Sequence, residues 1–370
     1  MILVLLTMLL LHLAVLVFCI IHLNRKHFSV DRYMENQAEL PFVSILVAAR
    51  NEEENILDCL KSLANLNYPD DKFEVLIGND NSTDRTGEIV ADFIKNMSSF
   101  QLINITKNVG SAKGKANVLA QLAMGAKGEY FFITDSDMQV PRNWLQSHLK
   151  HYSGDVYMTS GTTLSKPGNP IFTKMQYLEW LYLMGLFNTI DAIKPITAMG
   201  NNMAFKADKY FDTGGYENLT FSVTEDIQLM NEFAKKGYIH KHILSAENLS
   251  FQKPLNTIID LLKQRKRWFQ GGKKQPFYIW ILFGVYAGFL PAIVALFIFN
   301  WQPAIYILAA KCLADGLFIR TISQRLQVRT GLFWLPVFEI YLFIINPFIL
   351  AYSLITQKVE WKEREFTAQD

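Results

Sequence analysis

The segment Asp135-Ser136-Asp137 places two carboxylates two positions apart, directly after the apolar run at 130–134. A buried strand over that run would present both acids at its carboxyl end. Hard divalent cations prefer such oxygen ligands, and a bound cation can neutralise the charge on a departing diphosphate. A pair of aspartates that only caps a turn is the alternative interpretation.

A second acidic cluster follows the run at 73–78. Asp80 stands directly after this predicted strand and has no helix to cap, so its carboxylate could accept hydrogen bonds from a nucleobase or a ribose. Thr83 or Asp84 precedes the next predicted helix and is interpreted as its N-terminal cap.

A third acidic group, Thr224-Glu225-Asp226, precedes an amphipathic helix. Thr224 can cap that helix, and the acids suit the positive end of its dipole. A sugar transfer that inverts the anomeric centre needs one carboxylate to deprotonate the acceptor hydroxyl. Asp226 or Glu225 could be that base, and the residues alone do not choose between them.

The segment 110–116 contains Lys115 between a glycine and an alanine. A P-loop has four residues between its glycines and Ser or Thr after its lysine, whereas this segment has three residues and then alanine. A lysine and backbone amides at a helix start still suit an anion. The segment therefore predicts phosphate binding and disfavours nucleotide hydrolysis.

Gln264, Arg267 and Trp268 lie three and four residues apart, so a helix would place them on one face. An anchor at a membrane boundary is the alternative interpretation, because tryptophan and basic residues are common there.

These residues are positioned by an alternation of β-branched runs with helical patterns. We predict strands at 43–48, 73–78, 100–105 and 130–134, separated by helices near 53–66, 84–97 and 115–125. Such a rhythm is typical of a parallel sheet, and ligands bind beyond the carboxyl ends of its strands. The polar clusters at 50–52, 80–84 and 135–137 each follow a strand, so we expect one shared ligand pocket.

Apolar segments flank this region. Residues 2–23 contain no acidic or basic side chain and are long enough to cross a bilayer. Basic residues follow at Arg25, Lys26 and Arg32, which predicts an anchor with the rest of the chain starting in the cytosol.

Further apolar stretches are predicted at 277–299, 304–319 and 332–355. Lys311 and Asp315 lie four residues apart within the second and are expected to pair. The charged tail at 357–370 is either exported or follows a re-entrant hairpin.

Composition excludes some classes of function. The net charge of the 370 residues is only +2, and no basic stripe stands out, so a nucleic-acid partner is not expected. The three cysteines show neither disulfide nor metal-ligand spacing, which fits a reducing compartment.

Over residues 41–275 the chain resembles the membrane-bound family 2 glycosyltransferases, relatives of the cellulose, hyaluronan and poly-N-acetylglucosamine synthases and of ceramide glucosyltransferase. On the donor side, the resemblance implies a nucleotide-sugar site. Its residues would be Ala49, Arg50 and Glu52 of the opening motif, the uridine-contacting Asp80, Lys115, and the metal-binding pair Asp135 and Asp137.

On the acceptor side, Gly200, Asn201 and Asn202 are similar to the loop that lines the acceptor site, and the Thr-Glu-Asp motif makes Asp226 the base with Glu225 beside it. Gln264 and Arg267 match polar residues near the diphosphate in the Gln-x-x-Arg-Trp motif, and Trp268 its acceptor-facing tryptophan.

The resemblance implies an α/β, GT-A Rossmann-like mixed sheet with flanking transmembrane helices. The expected domains are an anchor at 1–24, a cytosolic catalytic domain at 41–275, a membrane region at 276–356 and a tail at 357–370. The expected activity is inverting transfer from a nucleotide-diphosphate sugar, with UDP as the expected nucleotide, at the inner membrane with Mg²⁺ or Mn²⁺.

Two departures refine this expectation. Asn79 stands where many members have a second aspartate, next to the retained Asp80. The short membrane region favours a lipid or glycan acceptor with few additions. A processive polysaccharide synthase and a non-catalytic scaffold of an export complex are the alternatives.

Overall fold

The computed structural model of the protein describes residues 2–25, 40–220, 222–273, 275–355, 359–361 and 364–366. The chain divides into two compact units. We call one the helical unit; it comprises Met1–Phe28, Pro167–Ile190 and Leu255–Gln357. We call the other the sheet unit; it comprises Ser29–Lys166, Asp191–Pro254 and Lys358–Asp370.

Every strand found in the described residues lies in the sheet unit. They are β1 (Val43–Ala49), β2 (Phe73–Asn79), β3 (Phe100–Asn104), β4 (Tyr130–Asp135), β5 (Met138–Gln139), β6 (Val156–Ser160), β7 (Thr162–Ser165), β8 (Asn202–Lys206), β9 (Ile239–His242), β10 (Leu249–Gln252), β11 (Val359–Trp361) and β12 (Arg364–Phe366).

A seven-stranded sheet has the order β3-β2-β1-β4-β8-β6-β9. β1 pairs in parallel with β2 and β4, and β2 with β3. β8 is antiparallel to both β4 and β6, and β9 returns parallel to β6. The remaining strands form a three-stranded sheet, β5-β10-β7, and a hairpin of β11 with β12.

The central strands are buried on both faces, which explains their unbroken apolar runs. Along β1, Leu46 packs into one hydrophobic core while Ile45 and Val47 pack into a second one. Phe131 and Phe132 of β4 divide between the two cores in the same way. Alternate side chains point to opposite faces of a strand, so each run supplies both layers.

In the part of the chain that the structure describes, seven α-helices belong to the sheet unit. They are α2 (Ile56–Ala64), α3 (Thr86–Ile94), α4 (Gly114–Gly125), α5 (Trp144–Leu149), α7 (Ala207–Asp212), α8 (Gly215–Asn218) and α9 (Glu225–Lys235). α4 packs very closely on β2: a Cβ placed on Gly78 would lie 2.3 Å from Val118 Cγ1.

The four strands predicted from the sequence are confirmed, and so is the mixed α/β fold. α2 and α3 are shorter than the predicted helices near 53–66 and 84–97, whereas α4 agrees with the predicted 115–125 to within one residue. α2 begins at Ile56 because the residues before it form a turn, in which Asn51 adopts a φ of 50° and the backbone of Asn55 donates to Glu52 O. The antiparallel insertion of β8 beside β4 pairs residues about seventy positions apart, so local patterns do not reveal it.

The helical unit contains α1 (Ile2–Arg25), most of α6 (Ile171–Asp191), α10 (Ile258–Gly272), α11 (Phe277–Phe299), α12 (Trp301–Arg325) and α13 (Leu335–Ile355). Within the described residues, three helical stretches are long and apolar enough to cross a membrane: Ile2–Arg25, Phe277–Phe299 and Leu332–Ile355. The chain is therefore a membrane protein in its architecture.

The predicted span at 304–319 lies inside α12, which is not among these three stretches. The expected pairing within it is confirmed, since Lys311 Nζ lies 2.6 Å from Asp315 Oδ2. Sequence reasoning missed the third member of this cluster, Glu339 of α13, whose carboxylate also binds Lys311. All three side chains are buried. The predicted tail at 357–370 lies mostly outside the described residues.

Candidate functional site

The ends of β1 and β2 are joined by the opening motif. Asp80 N donates to Ala49 O (2.9 Å), and Arg50 Nη1 donates to Asp80 O at 2.6 Å and Asn81 O at 3.1 Å. Glu52 is buried; its N–H donates to Thr86 Oγ1 at 2.7 Å. These contacts fix the backbone from which the buried Asp80 side chain projects.

Asp84 is structural, as the sequence indicated. Its carboxylate accepts hydrogen bonds from the backbone N–H groups of Thr86 and Glu53. Burial opposes the effect, but these hydrogen bonds lower the pKa of Asp84. The capping hydrogen bond predicted for Thr224 is not formed. Thr224 occupies the position before α9, but its side chain makes no capping hydrogen bond.

A cleft of about 270 Å³ opens at the carboxyl ends of β2 and β3. Asp80, Lys107, Lys113 and the start of α4 at Gly114 are among the residues that line it. A lining with a carboxylate, two lysines and a helix N-terminus suits a nucleoside carrying phosphates. The sequence analysis did not select Lys107 or Lys113, although the position of Lys113 directly before α4 was a usable signal.

Lys115 joins the donor and acceptor motifs of the sheet unit. Its Nζ lies 2.6 Å from Asp135 Oδ1 and 3.0 Å from Glu225 Oε1, and it donates to Gly200 O at 3.1 Å. Burial would lower the pKa of Lys115, but the carboxylates of Asp135 and Glu225 outweigh burial and raise it. A permanently charged ammonium therefore holds three motifs together that are far apart in the sequence.

Asp135 and Asp137 flank the tight turn between β4 and β5. Cys59 lies under this turn, with its Sγ 3.6 Å from Asp135 O. Burial and the charges of Asp137, Asp135 and Glu52 raise the pKa of Cys59. Within the described part of the chain no group of three metal-binding side chains is present. Two carboxylates fit a cation that completes its shell with phosphate oxygens and water.

Asp226 at the start of α9 is held by two backbone amides. Gly200 N donates to Oδ2 and Ile227 N to Oδ1, each at 2.8 Å. Burial and the charge of Glu225 raise the pKa of Asp226 to about 6, although Lys115 and the two amides oppose the shift. A carboxylate with such a pKa is suited to accept a proton near neutral pH.

The three residues of the predicted acceptor loop have different environments. Gly200 faces Asp226, and a Cβ at this position would lie 2.8 Å from Asp226 Oδ2. Asn201 is partly exposed and accepts a hydrogen bond from Thr163 Oγ1 at 3.0 Å. Asn202, predicted as the third residue of the loop that lines the acceptor site, is fully buried.

The side chain of Asn202 bonds to protein groups in every direction. Its Oδ1 accepts from Trp144 Nε1 and contacts His148 Nε2. Its Nδ2 donates to the backbone carbonyls of Thr162 and Asn248. Asn202 therefore anchors the loop at 200–202 to the protein beneath it.

Gln264, Arg267 and Trp268 lie on α10 in the helical unit, so they are described apart from the site above. Arg265, which the sequence analysis passed over, organises this segment. Its Nε and Nη2 each lie 3.1 Å from Glu179 Oε1, its Nη1 donates to Gln264 Oε1 at 2.7 Å, and its guanidinium stacks 4.2 Å from the ring centre of Trp268.

The chain matches the family described as Glycosyl transferase family 21 over residues 7–370. It is 30% identical over 257 residues to a beta-monoglucosyldiacylglycerol synthase of Nostoc, covering 67% of this chain and 52% of the relative. It is 30% identical over 244 residues to a poly-beta-1,6-N-acetyl-D-glucosamine synthase of Staphylococcus epidermidis, covering 62% and 54%. The chain thus spans about half the length of these curated relatives.

Among solved structures, the chain is similar to a mannosyltransferase of Pyrobaculum calidifontis in complex with GDP-Man and Mn²⁺, with a TM-score of 0.53 and 18% identity. The likeness covers 95% of this chain and 96% of that one and shows a common glycosyltransferase fold of the GT-A type. The resemblance drawn from the motifs is confirmed by these matches. With almost its whole length matched, the chain belongs to glycosyl transferase family 21.

Proposed function

We propose that this protein is an inverting glycosyltransferase that moves a sugar from a nucleotide-diphosphate donor to a membrane-associated lipid or glycan. The observation that carries this proposal is the contact of Lys115 with both Asp135 and Glu225. It brings the acidic turn of the donor motif within a few ångströms of Asp226, the candidate base. A donor phosphate held at this acidic turn would therefore lie beside an acceptor hydroxyl at Asp226.

The donor half of the mechanism uses the carboxyl ends of β2 and β4. Asp80 would accept hydrogen bonds from the nucleoside, and Lys107 and Lys113 would face its phosphates across the cleft. Asp135 and Asp137 would hold Mg²⁺ or Mn²⁺, which offsets the charge of the leaving diphosphate. The presence of Mn²⁺ in the mannosyltransferase complex supports this assignment.

The acceptor half centres on Asp226. Its carboxylate removes the proton from the acceptor hydroxyl while that oxygen bonds to the anomeric carbon, and the bond from this carbon to the diphosphate breaks on the opposite side. The configuration inverts as a result. Lys115 neutralises Glu225 beside the base, which keeps the attacking oxygen from facing two uncompensated negative charges.

The residues of α10 are assigned by the motif resemblance. Gln264 and Arg267 would approach the diphosphate, and Trp268 the acceptor. The contacts of Arg265 with Gln264 and Trp268 support a fixed arrangement of this segment.

We place the catalytic domain, residues 41–275, on the cytosolic side of the cell membrane. Support comes from basic residues beside the apolar helices: Arg25 ends α1, and Arg265, Lys266 and Lys273 precede α11. Positively charged residues next to membrane spans are retained on the cytosolic side, where nucleotide sugars are made.

Two kinds of product fit the relatives. The beta-monoglucosyldiacylglycerol synthase is named for a glycolipid, and the poly-beta-1,6-N-acetyl-D-glucosamine synthase for a polymer. We take a lipid that receives one or a few sugars as the first candidate, on the likeness to the beta-monoglucosyldiacylglycerol synthase. A processive synthase is the second candidate.

Mass spectrometry of membranes that contain the protein, supplied with a panel of UDP- and GDP-sugars and Mn²⁺ or Mg²⁺, tests the proposal. We expect a new glycolipid that depends on one nucleotide sugar. Long polymers would support the second candidate. Neither product, with no hydrolysis of any donor, would reject the enzymatic proposal.

A further inference from the structure

Three buried polar side chains are hydrogen-bonded in a row beneath the loop that faces Asp226. Asp191 ends α6, His240 lies on β9 and Ser160 ends β6. Asp191 Oδ1 lies 3.1 Å from His240 Nδ1, and His240 Nε2 lies 2.9 Å from Ser160 Oγ. Each side chain is at most about 5% exposed. Burial of three polar side chains is costly unless each is bonded.

The hydrogen bonds among these three side chains all run in one direction from donor to acceptor. A carboxylate only accepts, so the Nδ1 of His240 carries the hydrogen that binds Asp191. In the tautomer with its hydrogen on Nδ1, the other ring nitrogen, Nε2, accepts the hydroxyl hydrogen of Ser160. This leaves a lone pair of Ser160 Oγ for one more donor, which is the backbone N–H of Met199 at 3.0 Å.

Asp191 is held as a carboxylate from the other side as well. Its Oδ2 accepts the backbone N–H of His242 at 2.9 Å. Burial opposes the effect, but the contacts with His240 and His242 lower the pKa of Asp191. Both ends of this hydrogen-bonded row are thus defined. Asp191 is an ionised acceptor at one end, and the backbone N–H of Met199 is a donor at the other.

The residue after Met199 is the one that touches the candidate base. Gly200 N donates to Asp226 Oδ2 at 2.8 Å, and Gly200 O accepts from Lys115 Nζ. The N–H of Met199 belongs to the peptide bond before that residue, so only the φ and ψ torsions of Met199 separate it from the peptide that carries Gly200 N–H. Fixing the N–H of Met199 therefore limits where the amide of Gly200 begins. Asn202 N donates to Met199 O at 2.7 Å and closes the loop.

We propose that Asp191, His240 and Ser160 form a positioning relay that orients the Met199–Gly200 backbone so that Gly200 N–H holds the Asp226 carboxylate toward the acceptor. The relay touches neither substrate nor the reacting atoms, so its members are positioning residues. This inference rests on the proposed role of Asp226 as the base. If His240 were only a buried histidine with satisfied hydrogen bonds, removal of its bond to Ser160 would leave the loop unchanged.

Ser160→Ala cuts the relay at the backbone and is compared with Ser147→Ala. Ser147 is also a buried serine of the sheet unit, but its hydroxyl donates only to the helix carbonyl of Trp144. Hydrogen–deuterium exchange of the full-length protein in detergent, read on peptides that contain Met199 and Gly200, needs no ligand. We expect faster exchange of this loop in Ser160→Ala and unchanged exchange in Ser147→Ala.

Transfer by both variants is then measured with the donor and acceptor that the product panel identifies for the wild type. We expect Ser160→Ala to lose about 10- to 100-fold in kcat, the size of effect that a misplaced catalytic group produces, with the KM for the donor unchanged. Ser147→Ala is expected to keep the wild-type kcat.

Asp191→Asn serves as a second variant if Ser160→Ala does not fold. An amide at this position has to turn an N–H toward either His240 Nδ1 or His242 N, so the direction of the relay is disturbed while Ser160 stays in place. The same faster exchange and lower kcat are expected.

Unchanged exchange of the loop in Ser160→Ala would overturn the relay. Faster exchange in Ser160→Ala together with a kcat equal to that of Ser147→Ala would overturn it as well. A wild-type protein that transfers no sugar defeats the proposed function instead, and in that case the exchange experiment still decides whether the relay orders the loop.

Discussion

At the residue scale, the behaviour of Asp226 is set by opposing influences that the structure identifies. Burial and Glu225 favour its protonated form, whereas Lys115 and the amides of Gly200 and Ile227 favour the carboxylate. The sequence predicted Asp226 and Glu225 as rival bases. The structure separates them, since Glu225 is paired with Lys115 and Asp226 is held by backbone amides. This contact joins residues 110 positions apart, so no local pattern could have indicated it.

Asp226→Asn is expected to abolish the proposed transfer while leaving donor binding intact. The amide keeps the size of the side chain but cannot accept the proton, and loss of a general base costs about 100- to 10,000-fold in rate. Rates are measured by product formation and donor affinity by titration. Asp212→Asn, at a half-exposed aspartate bonded to Tyr238, is the control. Near-normal transfer by Asp226→Asn would contradict its assignment as the base.

The rate of transfer is expected to depend on pH with an acid limb near pH 6. Because the pKa of Asp226 is raised to about 6, the active carboxylate form is lost below that pH, and kcat/KM falls about tenfold per pH unit. Above this pH the base stays ionised. A pH series of kcat/KM checks the limb, and a limb near pH 4 would show that Asp226 is not perturbed.

Lys115→Met is expected to move the acid limb of the kcat/KM profile to higher pH. The ammonium lowers the pKa of Asp226, so its removal favours the protonated form. Lys206→Met, a lysine of β8 that lies over Tyr130 and Tyr157, should leave the limb in place. A limb that stays fixed in Lys115→Met would argue against electrostatic coupling between Lys115 and the base.

At the scale of elements, α4 carries Lys115 and packs directly on β2. The strands and helices of this half were predictable because β-branched runs alternate with helical patterns. The close approach of Gly78 to Val118 was not predictable, because it depends on the distance between two elements. The same holds for β8, whose antiparallel position brings Asn202 beneath the site.

Gly78→Ala is expected to destabilise the sheet unit by about 1 to 3 kcal/mol, the usual cost of overpacking a core. The new Cβ would meet Val118 Cγ1 at 2.3 Å, so α4 must move away from β2. Chemical unfolding in detergent measures the change. Gly125→Ala at the end of α4 is the matched control, since nothing lies within 4 Å of its added Cβ. Equal stability of the two variants would contradict this packing.

At the scale of the whole molecule, the chain combines a mixed-sheet unit with a unit of long helices that includes three apolar spans. The apolar spans could be predicted from hydropathy alone. The cluster of Lys311, Asp315 and Glu339 could be predicted only in part, because Glu339 comes from a different helix. Two carboxylates thus share one ammonium among buried apolar side chains.

Lys311→Met is expected to destabilise the helical unit by about 3 to 5 kcal/mol, because two buried carboxylates lose their cation. Combining it with Asp315→Leu and Glu339→Met should restore most of the stability, since apolar side chains of similar volume replace the whole network. Thermal unfolding in detergent measures both variants. A triple variant no more stable than Lys311→Met would show that the cluster does more than neutralise charge.

This cluster also has a consequence for biosynthesis. Glu339 leaves the ribosome 28 residues after Lys311, so α12 emerges with a lysine and an aspartate before its second carboxylate exists. A helix that carries charges inserts poorly into lipid by itself. We therefore expect α12 to wait at the translocon until α13 arrives, and the two helices to enter the bilayer together as a hairpin.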